Sequence, residues 1–121
     1  MSSATQALER VRRACLRLPA TTERPSHGSP SFFVQDKKTF VMFCDNKHDD
    51  GRLAIWIAAP PGAQDALLEA DPVQFFRPPY VGGRGWIGVR LDRKPDWKRV
   101  EALIEDAFRT VAPVRVLREL E

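Results

Sequence analysis

One run of residues has side chains suited to acid–base or nucleophilic chemistry. Ser26-His27-Gly28-Ser29 places an imidazole between two hydroxyl groups, with His27 as the conceivable base. A serine nucleophile needs an oriented base and an oxyanion site, and the chain has no G-x-S-x-G turn to supply them. The run is more typical of a turn in which Gly28 adopts a positive φ angle. We therefore predict no catalytic residue and no enzyme activity, and we keep His27 as a candidate ligand contact.

A second run, residues 45–50, offers oxygen ligands and one imidazole. It lacks the order of an EF-hand loop, because Asp50 stands where the glycine belongs and no glutamate stands at position twelve. Zinc prefers cysteine and histidine in closed spacing, and Cys44 with His48 makes only half of such a site. A solvated hairpin connection fits this run better. We predict neither a metal site nor a cofactor.

A third segment, residues 71–92, has the composition of a binding surface. It holds four aromatic rings, four glycines and three arginines. Arginine binds phosphate in a bidentate manner, aromatic rings stack on bases, and glycine lets backbone N–H groups approach a phosphate. We call residues 80–90 the wing, and we predict that nucleic acid is contacted by six side chains in and around it: Arg77, Tyr80, Arg84, Trp86, Arg90 and Lys94. In the competing interpretation, Tyr80 and Trp86 cover the open side of a sheet and the glycines serve a tight turn.

Composition indicates one soluble globular domain spanning residues 1–121. Hydrophobic residues make up 43% of the chain, enough for a single core, and no apolar run reaches the length of a membrane span. The N-terminus does not resemble a secretory signal. Cys15 and Cys44 are expected as buried, reduced thiols, which favours a cytoplasmic protein. On the first predicted helix, three arginines share one face: Arg10, Arg13 and Arg17. This face is either a second phosphate-binding stripe or simply the solvated side of the helix.

Apolar periodicity predicts elements in the order α-β-β-β-α-β-β-α. The first helix follows a Ser3–Gln6 capping box and ends before Pro19, and Asp96 caps the last helix, 97–112. Strands are predicted at 31–35, 39–44, 52–58, 73–76 and 86–91, with a helix at 63–70 and a polar connection at 20–30. Short turns between strands indicate an antiparallel sheet with its helices packed on one face, a two-layer α+β sandwich.

Three side-chain placements follow from these patterns. In the second strand, alternation places Phe40, Met42 and Cys44 on one face. Trp56 is expected to be only partly covered, since small alanines surround it. The helix at 63–70 is expected to face inward through four apolar residues: Ala63, Ala66, Leu67 and Ala70.

The chain resembles the MmcQ/YjbR-like family at landmarks spread along nearly its whole length. These are Leu18-Pro19, Glu23, Ser26-His27-Gly28-Ser29-Pro30-Ser31-Phe32, Lys38, Phe40, Pro61-Gly62, Asp71-Pro72, Phe75-Phe76, Pro79-Tyr80-Val81-Gly82, Gly85-Trp86-Ile87-Gly88-Val89 and Asp96-Trp97. The resemblance implies a fold similar to frataxin-like (CyaY-like) and secretion-chaperone-like sandwiches, and to double-wing DNA-binding modules of the phage type. It implies DNA binding by analogy of fold, and it brings no catalytic motif. A frataxin-like iron ridge would need an acidic first helix, whereas this helix carries four arginines and only Glu9.

The leading hypothesis is a small cytoplasmic, non-enzymatic protein that binds nucleic acid, DNA rather than RNA, through phosphate contacts of the wing. The alternative is a protein-interaction or chaperone-like module, which would need one exposed apolar patch formed by four aromatic residues: Trp56, Phe75, Phe76 and Tyr80. A third hypothesis is a small-molecule pocket between His27, Tyr80 and Trp86.

Overall fold

A computed structural model describes residues 3–120. Its helices are α1 (Ser3–Leu16), α2 (Ala63–Ala70), α3 (Trp97–Val111) and α4 (Val114–Leu117). Its strands are β1 (Thr21–Ser26), β2 (Ser29–Val34), β3 (Lys38–Asp45), β4 (Leu53–Ile57), β5 (Phe75–Phe76) and β6 (Ile87–Arg90). The predicted α+β class is confirmed. Among the described residues, no helix is both long enough and apolar enough to cross a membrane.

The six strands form one antiparallel sheet in the order β1-β2-β3-β4-β6-β5. Strand β1 corrects the prediction of a polar connection at 20–30. Its sequence, TTERPS, has no buried residue and contains Pro25, which an edge strand tolerates because one of its sides needs no ladder hydrogen bond. A two-residue turn joins β1 to β2, with φ of 52° at His27 and 78° at Gly28. The predicted positive φ at Gly28 is confirmed, and both angles suit a type I′ hairpin.

One face of the sheet carries the main core under α1 and α3. A row of fully buried side chains crosses this face, formed by Phe32, Val41, Ile57 and Ile87 on neighbouring strands. Phe40 also points to this side, its ring 5.8 Å from that of Phe108 in α3. Simple alternation predicted that Phe40 shares a sheet face with Met42, and that prediction is wrong. The register shifts between Phe32 and Phe33, so Phe40 is an extra residue in β3 that reverses the alternation before it.

The other face carries a second row, Ser31–Met42–Trp56–Gly88–Phe76, across five strands. Trp56 is 2% exposed, so the expectation of partial cover is wrong. The neighbouring alanines do not leave the indole open, because residues outside the sheet reach over this face. Tyr80 and Val81 of the segment after β5 line the same cavity as Trp56, together with His48 from the β3–β4 connection.

Helix α2 contacts β5 and does not bury the face that was predicted for it. Gln64 is its buried residue, whereas Ala66 and Ala70 are exposed. The prediction failed because it ranked side chains by hydrophobicity alone. The segment between β5 and β6 presents backbone carbonyl groups to this helix, and buried carbonyls require a donor that alanine cannot provide.

Both thiols are buried and free, as predicted. Cys15 is completely buried and Cys44 is 2% exposed. Burial raises the pKa of the Cys15 thiol, and the charge of Glu23 raises it further. Burial likewise raises the pKa of Cys44 to about 12. Both groups therefore behave as small apolar side chains of the core.

Candidate nucleic-acid interface

The wing is a loop held in one shape by Gln64. The Gln64 Nε2 group donates hydrogen bonds to the carbonyl oxygens of Gly82 at 2.8 Å and Trp86 at 2.5 Å. Its Oε1 accepts one from Arg77 Nη1 at 3.2 Å. Gly85, at φ 88°, closes the turn before β6. Because one buried amide satisfies three partners, the loop presents its outward side chains from a fixed backbone.

The two wing aromatics have opposite environments. Trp86 is 5% exposed and so cannot stack on a base, which agrees with the structural interpretation of this residue. Tyr80 is 80% exposed, and its ring is free to contact a ligand. The Arg84 guanidinium lies 5.6 Å from the centre of the Trp86 ring and extends into solvent. The Arg84 guanidinium therefore lies beside the Trp86 ring. Of these three side chains, Arg84 and Tyr80 are the ones exposed to a ligand.

Three of the predicted contact residues are placed differently. Arg90 pairs with Asp92 through two hydrogen bonds of 3.0 Å, and this pairing lowers the pKa of the Asp92 carboxyl group. Arg77 is exposed but donates to Gln64. Lys94 follows the C-terminal end of β6, whereas Arg84 precedes its N-terminal end. The six predicted residues therefore do not converge on one surface.

Arg84 instead shares a groove with cations from a distant turn. The groove, about 550 Å³, is lined by His27, Lys37, Lys38, Arg84 and Trp86, among others. His27 and the two lysines stand at opposite ends of β2, a strand of six residues that spans roughly 20 Å. Among the described residues, no acidic side chain lines this cavity. We call it the basic groove.

A smaller cavity, about 450 Å³, adjoins the basic groove and shares His27, Met42 and Val81 with it. Its remaining walls are Lys47, His48, Trp56 and Tyr80, and its lining is mainly apolar. The Lys47 ammonium group donates to the His27 carbonyl oxygen and, at 2.8 Å, to Ser29 Oγ, and so fixes the β1–β2 turn at the mouth. We call this cavity the ring pocket. His27 and Tyr80 of the hypothesised small-molecule pocket both line it, whereas Trp86 lines the basic groove instead.

Comparisons with known proteins identify the family. The family model for YjbR matches residues 16–110. The chain belongs to the YjbR family. A crystal structure of the Deinococcus radiodurans protein DR2400, described as a DUF419 domain, superposes with a TM-score of 0.75 at 19% identity. The match covers 93% of this chain and 86% of that one, and it shows a shared fold. No curated protein matches this chain.

The arginines of α1 in this YjbR protein do not extend the basic groove. The guanidinium of Arg10 lies 4.8 Å from the centre of the Trp97 ring, and Arg17 lies 3.7 Å from Glu105 of α3. Arg12 bridges Glu9 and Glu23 at 2.6 Å each. Of the predicted stripe, Arg10 and Arg17 thus contact the helical layer, whereas Arg13 is exposed to solvent.

Burial decides the hypothesis of an exposed aromatic patch. Trp56, Phe75 and Phe76 are at most 8% exposed, and Phe75 lies on the opposite sheet face from Trp56. The predicted aromatic patch of the interaction module is therefore wrong, since only Tyr80 of its four members is exposed. Within residues 3–120, no cluster of three or more His, Cys, Asp or Glu side chains could hold a metal ion. The side chains of Asn46 and Asp49 bond to each other at 3.3 Å.

Proposed function

We propose that this YjbR protein is a non-enzymatic nucleic-acid-binding protein of the cytoplasm that holds strand phosphates in the basic groove. The observation that carries the proposal is the charge of the groove lining. Lys37, Lys38 and Arg84 are exposed there, and none forms a salt bridge with any residue between 3 and 120. Cations without a carboxylate partner are available for the phosphate contacts that dominate nucleic-acid affinity.

Two other cavities that contain cations also contain carboxylates. Lys94 lines one cavity together with Arg10 and Asp92, and another together with Arg99, Asp71 and Asp96. Carboxylates beside these cations would repel a phosphate and offset its attraction. The basic groove is also long enough for several nucleotides, given the span of β2. The charge pattern therefore favours one phosphate track over a diffuse surface.

DNA is the first ligand to test, because the resemblance of the YjbR family to double-wing modules favours it. A fluorescence-anisotropy titration with labelled DNA, run at low and raised salt, measures the affinity directly. We expect the apparent Kd to rise steeply with salt, since each neutralised phosphate releases counterions. A Kd that salt leaves unchanged, or no binding at micromolar protein, would contradict phosphate contact.

A further inference from the structure

The ring pocket suggests what kind of nucleic acid the groove receives. We propose that the ring pocket binds one unstacked nucleobase, so that the protein prefers single-stranded to duplex nucleic acid. This inference rests on the proposed function for the phosphate contacts, and it adds a base-binding site that those contacts do not require. Three features of the pocket carry it: its rings, an unpaired donor and a strained rim.

The lining of the pocket suits a flat heterocycle. Trp56 and Met42 belong to the sheet, and His27, His48, Tyr80 and Val81 come from the connections around it. His48 and Tyr80 meet edge to face with ring centres 5.4 Å apart, so the Tyr80 ring is positioned at the rim although 80% of the residue is exposed. The volume of about 450 Å³ lies in the range of small-molecule sites. Stacking on aromatic side chains is the usual way in which single-stranded bases are held.

Trp56 contributes an unpaired hydrogen-bond donor to this region. Its Nε1 atom is buried and has no hydrogen-bond partner within residues 3–120. Buried polar groups are nearly always paired, so an orphaned indole N–H needs an explanation. A nucleobase offers carbonyl and ring-nitrogen acceptors at its edge. A base that displaces the atoms now covering this N–H would bring such an acceptor to the indole edge and supply the missing partner.

Three of the nine non-glycine residues with positive φ in the described part of the chain stand at the rim. They are His27, His48 and Tyr80, at φ 52°, 55° and 63°. The angle of His27 suits its hairpin turn, whereas Tyr80, with ψ of −61°, lies outside the left-handed helical region. Side chains at positive φ are uncommon outside glycine, and strained residues cluster where a ligand is bound. The two histidines are also the only ones in the chain. Three connections that are distant in sequence thus hold rings around one cavity at a conformational cost.

The position of the pocket explains the preference for single strands. Because the two cavities share His27, Met42 and Val81, a base in the ring pocket remains connected to phosphates in the basic groove. A base in a duplex is stacked and paired, and it must be extruded before it can enter a cavity. A base in a single strand avoids most of that cost. No acidic residue among those described lines either cavity, so the whole path attracts the backbone.

Anisotropy titrations with four ligands test the inference: labelled oligothymidylate, the same length of abasic deoxyribose-phosphate strand, the matching duplex, and unlabelled thymidine monophosphate as competitor. We expect oligothymidylate to bind about tenfold more tightly than the abasic strand or the duplex. Tyr80→Ala should remove most of that difference. Trp56→Phe, which keeps a ring but removes the donor, should weaken oligothymidylate about fivefold and leave the abasic strand unchanged.

Trp56→Phe is expected to be less stable than the wild type, because the smaller ring leaves space at a buried position whether or not the N–H binds a ligand. A ligand role of Trp56 is therefore read from affinity in the folded variant, as a loss for oligothymidylate that the abasic strand does not share. Equal binding of oligothymidylate and abasic strand, in wild type and both variants, would overturn the base pocket while leaving the phosphate track intact. If no strand binds but thymidine monophosphate quenches tryptophan fluorescence, the ring pocket binds a free nucleotide and the proposed function in strand binding is contradicted. If neither binds, both fail.

Discussion

The ring of Phe76 lies flat against the backbone of Gly88. The two residues are partners in neighbouring strands, β5 and β6, on the face that carries Trp56. A Cβ atom at Gly88 would stand 2.5 Å from both Cε atoms of the ring, a distance that side chains do not tolerate. The guanidinium of Arg52 lies 4.0 Å from the centre of the same ring. Glycine is thus required here by the close approach of a ring.

We predict that Gly88→Ala destabilises the protein by about 1–3 kcal/mol, the usual cost of overpacking a filled core. The matched control is Gly83→Ala, since no atom lies within 4 Å of a Cβ there and its φ is not positive. Chemical denaturation compares the two variants. Equal midpoints would show that Phe76 moves away at no cost, and would contradict the described packing.

The wing should depend on Gln64 for its shape. Gln64→Leu keeps the volume of the side chain but leaves the carbonyl groups of Gly82 and Trp86 without their donor. We expect a loss of about 1–3 kcal/mol in the free energy of unfolding, the cost of an unpaired buried polar group. Hydrogen exchange should also rise in residues 80–86. Glu69→Gln, on an exposed position of the same helix, serves as control. A wing with unchanged exchange in Gln64→Leu would mean that Gln64 does not hold it.

The two cysteines should be inert in the folded protein. With the pKa of Cys44 at about 12 and that of Cys15 raised as well, almost no thiolate forms near neutral pH. Iodoacetamide should therefore label the native protein slowly at both positions and the unfolded protein rapidly. Rapid labelling of one native thiol, read by peptide mass spectrometry, would place that residue outside the core.

The raised pKa of Cys44 also predicts the direction in which stability changes at alkaline pH. An unfolded thiol ionises near pH 9 while Cys44 stays protonated to about pH 12, so the unfolded state binds fewer protons in that interval. The stability contributed by the buried thiol is complete below pH 9 and falls as pH rises toward 12, by about 1.4 kcal/mol per pH unit. Cys44→Ala should show a shallower alkaline loss than the wild type. An identical slope would contradict the shift.

Most of the fold could be predicted because the apolar residues of most helices and strands recur with the period of the element that they form. Helices α1 and α3 and strands β2, β3, β4 and β6 all follow such patterns. Strand β1 could not be predicted this way, because an exposed edge strand has little apolar content. The buried Gln64 was missed for a related reason, since its partners are backbone carbonyls that no sequence pattern displays.

The candidate site was predicted only in part. Arg84 and Tyr80 were recognised from the composition of the wing, and they are exposed beside the two cavities. Lys37 and Lys38 lie between the predicted strands 31–35 and 39–44, and nothing in the local sequence connects them to Arg84. That connection depends on the order of strands in the sheet. Conversely, Arg90 and Asp92 are close enough in sequence to suggest the ion pair that neutralises this arginine.

Phosphate contact by Lys37, Lys38 and Arg84 is the basis of the proposed function. Its most direct test compares the salt dependence of DNA affinity in two variants of equal charge. One variant replaces these three residues by alanine. The other replaces by alanine three exposed residues that do not line the basic groove: Arg13, Arg93 and Lys94. We predict that the first variant lowers the slope of log K against log salt by about 2, at roughly 0.7–0.9 per phosphate contact, and that the second leaves the slope close to wild type. Equal slopes in the two variants would contradict the account.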